Sequence, residues 1–384
     1  MPSVDDPQTL PRTAAVLAEW TASGHHIGAL VYVSRDLAPV ADFAVGDARL
    51  PVADHPAAVP MAPDTLMLWL SAGKPFAAVA LAQLRERGLL DFDDAVARFV
   101  PEFAAAGKGH LTLAHLLTHT AGLRFVETGW PDAPWDQIIA TVCAAAPEPD
   151  WPAGEKAGYS PFASWFVLAE VVRRLDGRAY GDYVRDEVFL PLGMTDSWIA
   201  MPPARYRAYG DRIGVMANTQ KKPPEPAGLD TEAAATHARP SGGARGPARE
   251  LGRFYECMLE DGAVPTAGGG RILSAESVAL LVSPRRVGLF DHTFRTTMDW
   301  GLGFIVNSAR YGADTVPYGY GRQAGERAFG HGGAQSTCAF ADPDRRLAVA
   351  ITFNGQPGEP AHHRRLRATL AALEADLGTP HDAG

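Results

Sequence analysis

The stretch LMLWLSAGKPFAAVALAQL, residues 66–84, constrains this chain more than any other. It enters as an apolar run, meets Ser71-Ala72-Gly73-Lys74, and continues with Phe76, Val79, Ala80, Leu81 and Leu84 at helical spacing. A serine and a lysine three residues apart lie on one side of a helix, one turn from each other. Serine opens a helix well, and Pro75 is tolerated only near such a start. The pattern predicts a buried helix whose first turn presents a hydroxyl beside an amine. A serine hydroxyl is a poor nucleophile at neutral pH unless a neighbouring base takes its proton. Lysine serves as that base where burial and the positive end of a helix lower its pKa. An isolated Ser-x-x-Lys is also read as a helix start with a solvated lysine. Here the flanks are apolar on both sides, and a solvated face is hard to draw through Lys74.

The chain around this stretch has 384 residues, 46% of them hydrophobic, enough for a large core in one sizeable domain or two. A formal charge of −9 with no basic run argues against nucleic acid or an anionic membrane as the main partner. Cys143, Cys257 and Cys338 are scattered and odd in number, giving neither a disulfide framework nor metal spacing. The acidic N-terminus MPSVDDPQTLPRTAAVLAEW lacks the basic and apolar regions of a signal peptide. No run of about 18 apolar residues suggests a membrane span. The expectation is a soluble, cytoplasmic protein that needs no cofactor and no metal.

In chain order, residues 10–22 have helical periodicity. Residues 27–33 and 39–45 read as two strands joined by Ser34-Arg35-Asp36. Residues 51–63, rich in Pro and Ala, read as a loop, and 89–103 as a turn with an amphipathic piece. HLTLAHLLTHTAGL, 110–123, reads as a helix closed by Gly122. Residues 124–158 are irregular, with Trp130, Trp135 and Trp151 among prolines. Helices are expected over 161–176, 180–188, 249–261, 274–283 and 361–377. Residues 202–248 read as a long loop. Strands are expected at 300–306, 328–330, 337–341 and 347–353. Strands at both ends with helices between them predict an α+β fold: an antiparallel sheet made from both termini and flanked by helices, with an inserted helical region. The expected division is 1–70 with 249–384 as the sheet domain, and 71–248 as the helical domain.

Two more stretches carry chemistry. In Gly158-Tyr159-Ser160-Pro161, just before a helix, the Tyr159 hydroxyl projects from a loop; a tyrosine beside a lysine cation is pushed toward its phenolate and serves as general base. The bland alternative is a half-buried aromatic with a satisfied hydroxyl. In Phe329-Gly330-His331-Gly332-Gly333-Ala334, glycines around a histidine let a ligand approach the backbone of a strand. The alternative is a bulged or edge strand with a spare histidine.

With these in hand, the chain resembles the serine hydrolases of the class C β-lactamase and penicillin-binding-protein-like family. DTLMLWLSAGKPF, LTLAHLLTHTAGL, AGYSPFASWFVLAEVV, VFLPLGMTDS, GGARGPARELGRFYECML, WGLGF and FGHGGAQSTCAFADPDRRLAVAITFN occur in the family's order. The resemblance implies Ser71 as the acylated nucleophile, Lys74 as its partner and Tyr159 as the tyrosine that shuttles the leaving-group proton. It puts His331-Gly332-Gly333 where β-lactamases have Lys-Thr-Gly, and the backbone N–H groups of Ser71 and Ala334 in the oxyanion hole, whose donors contribute a few kcal/mol. Pro161 replaces the family's Asn, removing an amide that bonds substrate and lysine, and His331 replaces a lysine that holds a β-lactam carboxylate.

Both departures favour an intracellular esterase or transacylase, acting on a small ester or amide, over a β-lactamase or D-amino-acid peptidase. Trp130, Trp151 and the loop 202–248 are the expected sources of selectivity. A catalytically silent binding or scaffold member of the same fold is the rival reading, and Pro161 is the feature that supports it. An α/β-hydrolase is excluded, because no G-x-S-x-G occurs and about 50 residues follow His331-Gly332-Gly333. His115 and His119, four apart, suggest a metal pair but enclose no glutamate and are expected to be structural. His25-His26 and His362-His363 read as surface.

Overall fold

The computed structural model describes residues 2–51, 57–265 and 269–378, so residues 52–56 of the expected 51–63 loop lie outside it. Five helices position the site: α1 (Pro11–Ala22), α2 (Pro75–Glu86), α3 (Ala163–Asp176), α4 (Ala248–Leu259) and α5 (Glu359–Leu377). The central sheet contains β1 (Gly28–Arg35), β2 (Ala38–Arg49), β3 (Val59–Pro60), β4 (Ile305–Val306), β5 (Phe329–Gly332), β6 (Thr337–Asp342) and β7 (Leu347–Phe353). These seven strands pair antiparallel in the order β4-β5-β6-β7-β1-β2-β3.

The two ends of the chain meet in the middle of this sheet, where β1 pairs with β7 from Ala29↔Phe353 to Arg35↔Leu347. The β1–β2 turn is Asp36-Leu37, both left-handed (φ 53° and 64°), the two-residue geometry that matches strand twist. The turn therefore falls two residues later than Ser34, because Ser34 and Arg35 still pair with Pro39 and Ala38. Alternation along β1 splits the core in two. Ala29, Val31 and Val33 face α1 and α5 through Leu17, Leu366 and Leu370, while Leu30 and Tyr32 face α4. Burial on both faces explains why IGALVYV is an unbroken apolar run. On the α4 side Gly252 sits so close to β1 that a Cβ there would stand 2.1 Å from the Tyr32 ring.

The second core cluster, on the α4 face, continues without a break into α2 and α3. Every residue of α2 from Pro75 to Leu84 is buried. Phe76 meets Phe189 and Phe254 edge-on, each at 4.8 Å. Burying such a ring contributes about 1.5–3 kcal/mol. Residues on both sides of the expected boundaries at 71 and 248 belong to this one cluster.

Several elements differ from the expectation. The 110–123 helix is only Leu113–Leu117. Thr112 and His115 cap its start reciprocally, at 3.3 and 3.1 Å, and left-handed His119 (φ 59°) turns the chain away. The 180–188 helix splits into an α-helical piece, Tyr180–Val184, and a wide turn over Arg185–Phe189. Of 300–306 only Ile305–Val306 is a strand, with Trp300 making isolated bridges. The expected loop 202–248 holds helices Pro203–Tyr209 and Glu232–Thr236. It ends in a strand, Arg245–Gly246, which pairs with Met67–Leu68 at the entrance to the Ser71 turn.

The histidine pairs are not simply surface either. His26 and His362 are buried around Arg365, because α5 lies on the sheet with that face inward. Among the described residues, no helix is long and apolar enough to cross a membrane.

Candidate active site

Ser71 does not sit in the α-helix itself but in a tight 3-10 turn, Leu70–Gly73, that runs into α2 through Lys74. Two groups of Trp69 fix the turn's entrance: its N–H donates to Ala244 O (2.8 Å) and its indole N–H to Gly246 O (3.0 Å). Leu70 is left-handed at φ 51° immediately before Ser71, backbone strain of the kind concentrated at functional sites. Tyr318 (φ 54°), another residue of the cleft, and Gln335 (φ 51°) share that conformation.

Lys74 is fully buried. Its Nζ lies 2.9 Å from Ser71 Oγ, 3.0 Å from Pro161 O and 2.6 Å from Ser241 O. Burial, and next the charge of Arg239, hold its pKa well below the ordinary lysine value. The two carbonyls take two N–H bonds, so a neutral amine keeps its lone pair for the Ser71 proton. The Pro161 carbonyl therefore supplies an oxygen to Lys74 although the side chain has no amide.

Tyr159 stands beside this pair, its ring 5.2 Å from Lys74 Nζ. Its backbone N–H donates to Asp291 Oδ1 (3.1 Å), and Asp291 is paired with buried Arg286 at 3.1 Å. The next N–H, of Ser160, donates to His119 Nδ1 (3.0 Å), whose ring lies 4.6 Å from the Tyr159 ring. So His119 orients the tyrosine loop and His115 caps a helix. Burial raises the Tyr159 phenol above its ordinary value, against a hydrogen bond with Ser71 that lowers it. The expected phenolate is therefore not the resting state: Tyr159 is a neutral phenol, suited to relaying a proton rather than standing as a base.

On β5, His331 Nδ1–H donates to Gly332 O (2.8 Å), while its buried Nε2 has no partner among the described residues. Burial, then the Lys74 charge, pushes its pKa down to about 3. This strand thus presents no cation where a lysine would stand. Gly332 admits Tyr318, since a Cβ there would be 2.3 Å from that ring, and Gly333 admits Trp69 O at the same 2.3 Å. Gly333 is accordingly taken up by packing against the Ser71 turn. In the turn after β5, Gly333 N–H bonds Thr337 O, Gln335 N–H bonds Tyr318 Oη and Ser336 N–H bonds Gly333 O. Ala334 N–H has no acceptor among the described residues.

These groups line one cleft of about 610 Å³, which includes Ser71, Tyr159, Pro161, His331, Gly332 and Ala334. Trp151 does not reach it. Its ring fills the space over Gly122 and Gly158, and its N–H bonds Thr120 O at 3.1 Å, so it shores up the tyrosine loop from behind. Trp130 reaches the cleft only through Arg239, which lies 4.6 Å over its ring. Sequence reasoning missed Ser241, Arg239 and Tyr318. The first two lie in the segment read as a loop, where GGARGP was the available signal.

The Beta-lactamase family model matches residues 13–374. A penicillin-binding protein of Bacillus subtilis (strain 168) is 26% identical over 262 residues, 65% of this chain and 54% of that protein, so the chain spans about half of that relative. The Esterase/beta-lactamase LipL of Mycobacterium tuberculosis is 25% identical over 326 residues, 79% of this chain and 72% of that protein. The crystal structure of a family VIII carboxylesterase has a TM-score of 0.76 at 26% identity, covering 98% of this chain and 99% of that chain.

Proposed function

The chain belongs to the Beta-lactamase family, serine hydrolases that include esterases, and on that premise we propose that it is an esterase-like acyl-hydrolase or transacylase working on a small ester or amide through an acyl-Ser71 intermediate. The observation that carries this is the Lys74 amine, buried, bonded by two carbonyls and 2.9 Å from Ser71 Oγ. Lys74 takes the Ser71 proton as Oγ attacks the substrate carbonyl. The N–H groups of Ser71 and Ala334 receive the developing oxyanion. As the tetrahedral adduct collapses, the bond to the leaving group breaks. A proton passes from Lys74 through the Tyr159 phenol to that group, leaving acyl-Ser71 and a neutral lysine. Water, or an alcohol, then attacks the acyl carbonyl and gives its proton to Lys74. Lys74 returns that proton to Ser71 Oγ, which departs as the hydroxyl, and the acid or the new ester is released with Lys74 neutral again.

The silent-binder reading drew on Pro161, but the Pro161 carbonyl bonds Lys74 at 3.0 Å, so the substitution leaves the lysine oxygen-bonded. Neutral His331 favours esters over substrates that need a strand cation. The test is steady-state turnover of short 4-nitrophenyl esters with and without a small alcohol. We expect Ser71→Ala and Lys74→Ala each to lose a factor of about 10³ or more in kcat/KM. Formation of the alcohol's ester identifies a transacylase. Turnover that survives in Ser71→Ala contradicts the reading.

A further inference from the structure

The cleft is lined by a cation that the acyl-transfer steps do not use, Arg239. Its guanidinium makes no hydrogen bond and no ion pair among the described residues, and its Nε is buried without a partner. A guanidinium presents its donors in a fixed fork and is costly to leave unpaired in a partly desolvated site. Yet the surroundings hold it in place. The carbonyl of Arg239 accepts from Gly242 N–H (3.0 Å) and Gly243 N–H (2.7 Å), closing a tight turn. A larger residue at either glycine would crowd this turn, since a Cβ on Gly243 would stand 3.0 Å from Arg239 Cβ, and one on Gly242 3.0 Å from the guanidinium. Trp130 and Phe162 flank the group at 4.6 and 5.6 Å.

The nearby charges do not neutralise it. Arg245, a few residues on, is itself a buried cation that pairs with Asp230 at 3.6 Å. Asp291 pairs with Arg286. Glu359 is the one carboxylate among the described lining residues, and it accepts from the Tyr318 hydroxyl (2.8 and 3.0 Å) and faces His363 at 3.3 Å. Strand β5 offers neutral His331. The cleft therefore carries a cation with no hydrogen-bond or ion-pair partner among the described residues.

We infer that Arg239 seats a carboxylate on the acyl donor, so that the preferred substrates are esters or amides carrying a free carboxylate besides the group that Ser71 attacks. The inference rests on the acyl-Ser71 reading and names its substrate class. A bidentate guanidinium–carboxylate contact in a partly desolvated cleft gives both affinity and orientation.

The test compares 4-nitrophenyl monoesters of adipic acid, one with its distal carboxylate free and one with it methyl-capped, on wild type, Arg239→Met and Arg239→Lys. The readout is the ratio of kcat/KM values within each protein, in which effects on the shared chemistry cancel. The wild type should prefer the free acid by at least about tenfold, Arg239→Met should lose at least about tenfold of that ratio, and Arg239→Lys should fall between. No wild-type preference, or a ratio unchanged in Arg239→Met, overturns the inference. If Arg239→Met does not fold, the wild-type ratio decides. If neither ester acylates Ser71, the acyl-enzyme reading fails instead, and Arg239 is judged by binding: hexanoate should raise the Tm of the wild type and hexanamide should not, and equal shifts would reject it.

Discussion

Arg239 and Arg365 are both guanidinium groups without a carboxylate at ion-pair distance among the described residues, and their surroundings are opposite. Arg365, on α5, donates to His25 O (2.8 Å), Gln335 O (3.0 Å) and Gly355 O (3.1 Å), and meets His26 Nδ1 (3.3 Å) and His362 Nδ1 (2.9 Å). Burial pushes its pKa down to about 9, so it stays a cation at neutral pH. Arg239 is a cation as well, pushed down to about 10 by burial and then by Arg245, but it has none of those acceptors. A buried cation surrounded by carbonyls holds the fold together. One left open to a cleft that also holds Ser71 is available to a ligand. Lys74 lies between these cases, with two carbonyls and one reactive neighbour.

The largest test of that contrast is at Lys74 itself: Lys74→Ala should cost about 10³ or more in kcat/KM while the far-UV spectrum is kept, because its role is chemical. Equal losses of fold and activity would place Lys74 with Arg365. Next is Arg365→Met, which removes the donors to one buried and two part-buried carbonyls and to two histidine nitrogens, and should lower unfolding stability by about 3 kcal/mol in urea. Arg239→Met removes no hydrogen bond or ion pair among the described residues and should change stability by less than about 1 kcal/mol. Similar values for the two would dissolve the distinction.

Smaller effects follow from protons. Burial, then the Arg365 charge, holds His26 and His362 well below the ordinary histidine value. Both must stay neutral to accept from Arg365, so the folded state binds fewer protons than the unfolded one below pH 6.5. Their stabilisation is complete above that pH and lost as pH falls, by up to about 1.4 kcal/mol per unit for each histidine. Thermal melts from pH 7.5 to 5 should show it, and a flat Tm would contradict the cluster. The smallest effect is kinetic. Lys74 acts as the neutral amine, so the acid limb of kcat/KM reports its pKa. Removing the Arg239 charge relieves the repulsion that lowers that pKa, and the limb in Arg239→Met should move to higher pH by less than about one unit. A shift to lower pH would reverse the assigned sign.

The Ser71–Lys74 pairing was legible because its spacing is local: a single turn brings the two side chains to 2.9 Å without distant chain. The hairpin, the strands of both termini and helices α2 to α5 were legible for the same reason, since periods of 2 and 3.6 are written into neighbouring residues. What the sequence hid was contact at long range. The segment 202–248 looks like loop because its strand pairing, Leu68↔Arg245, joins residues far apart, and that pairing brings Ser241 O to Lys74. His26 and His362 looked exposed because what buries them is the packing of α5 on the sheet. The Tyr159 shift runs opposite to the expected one, because a neighbouring lysine suggests a cation that favours the phenolate, whereas burial lowers the amine and raises the phenol.

The central claim is that Ser71, activated by a neutral Lys74, carries the acyl group. Intact mass after brief incubation with an activated ester tests it most directly. The account predicts that the wild type gains one acyl mass, mapped by peptide digestion to Ser71, and that Ser71→Ala gains none. An adduct on any other residue, or an equal adduct on Ser71→Ala, would contradict it.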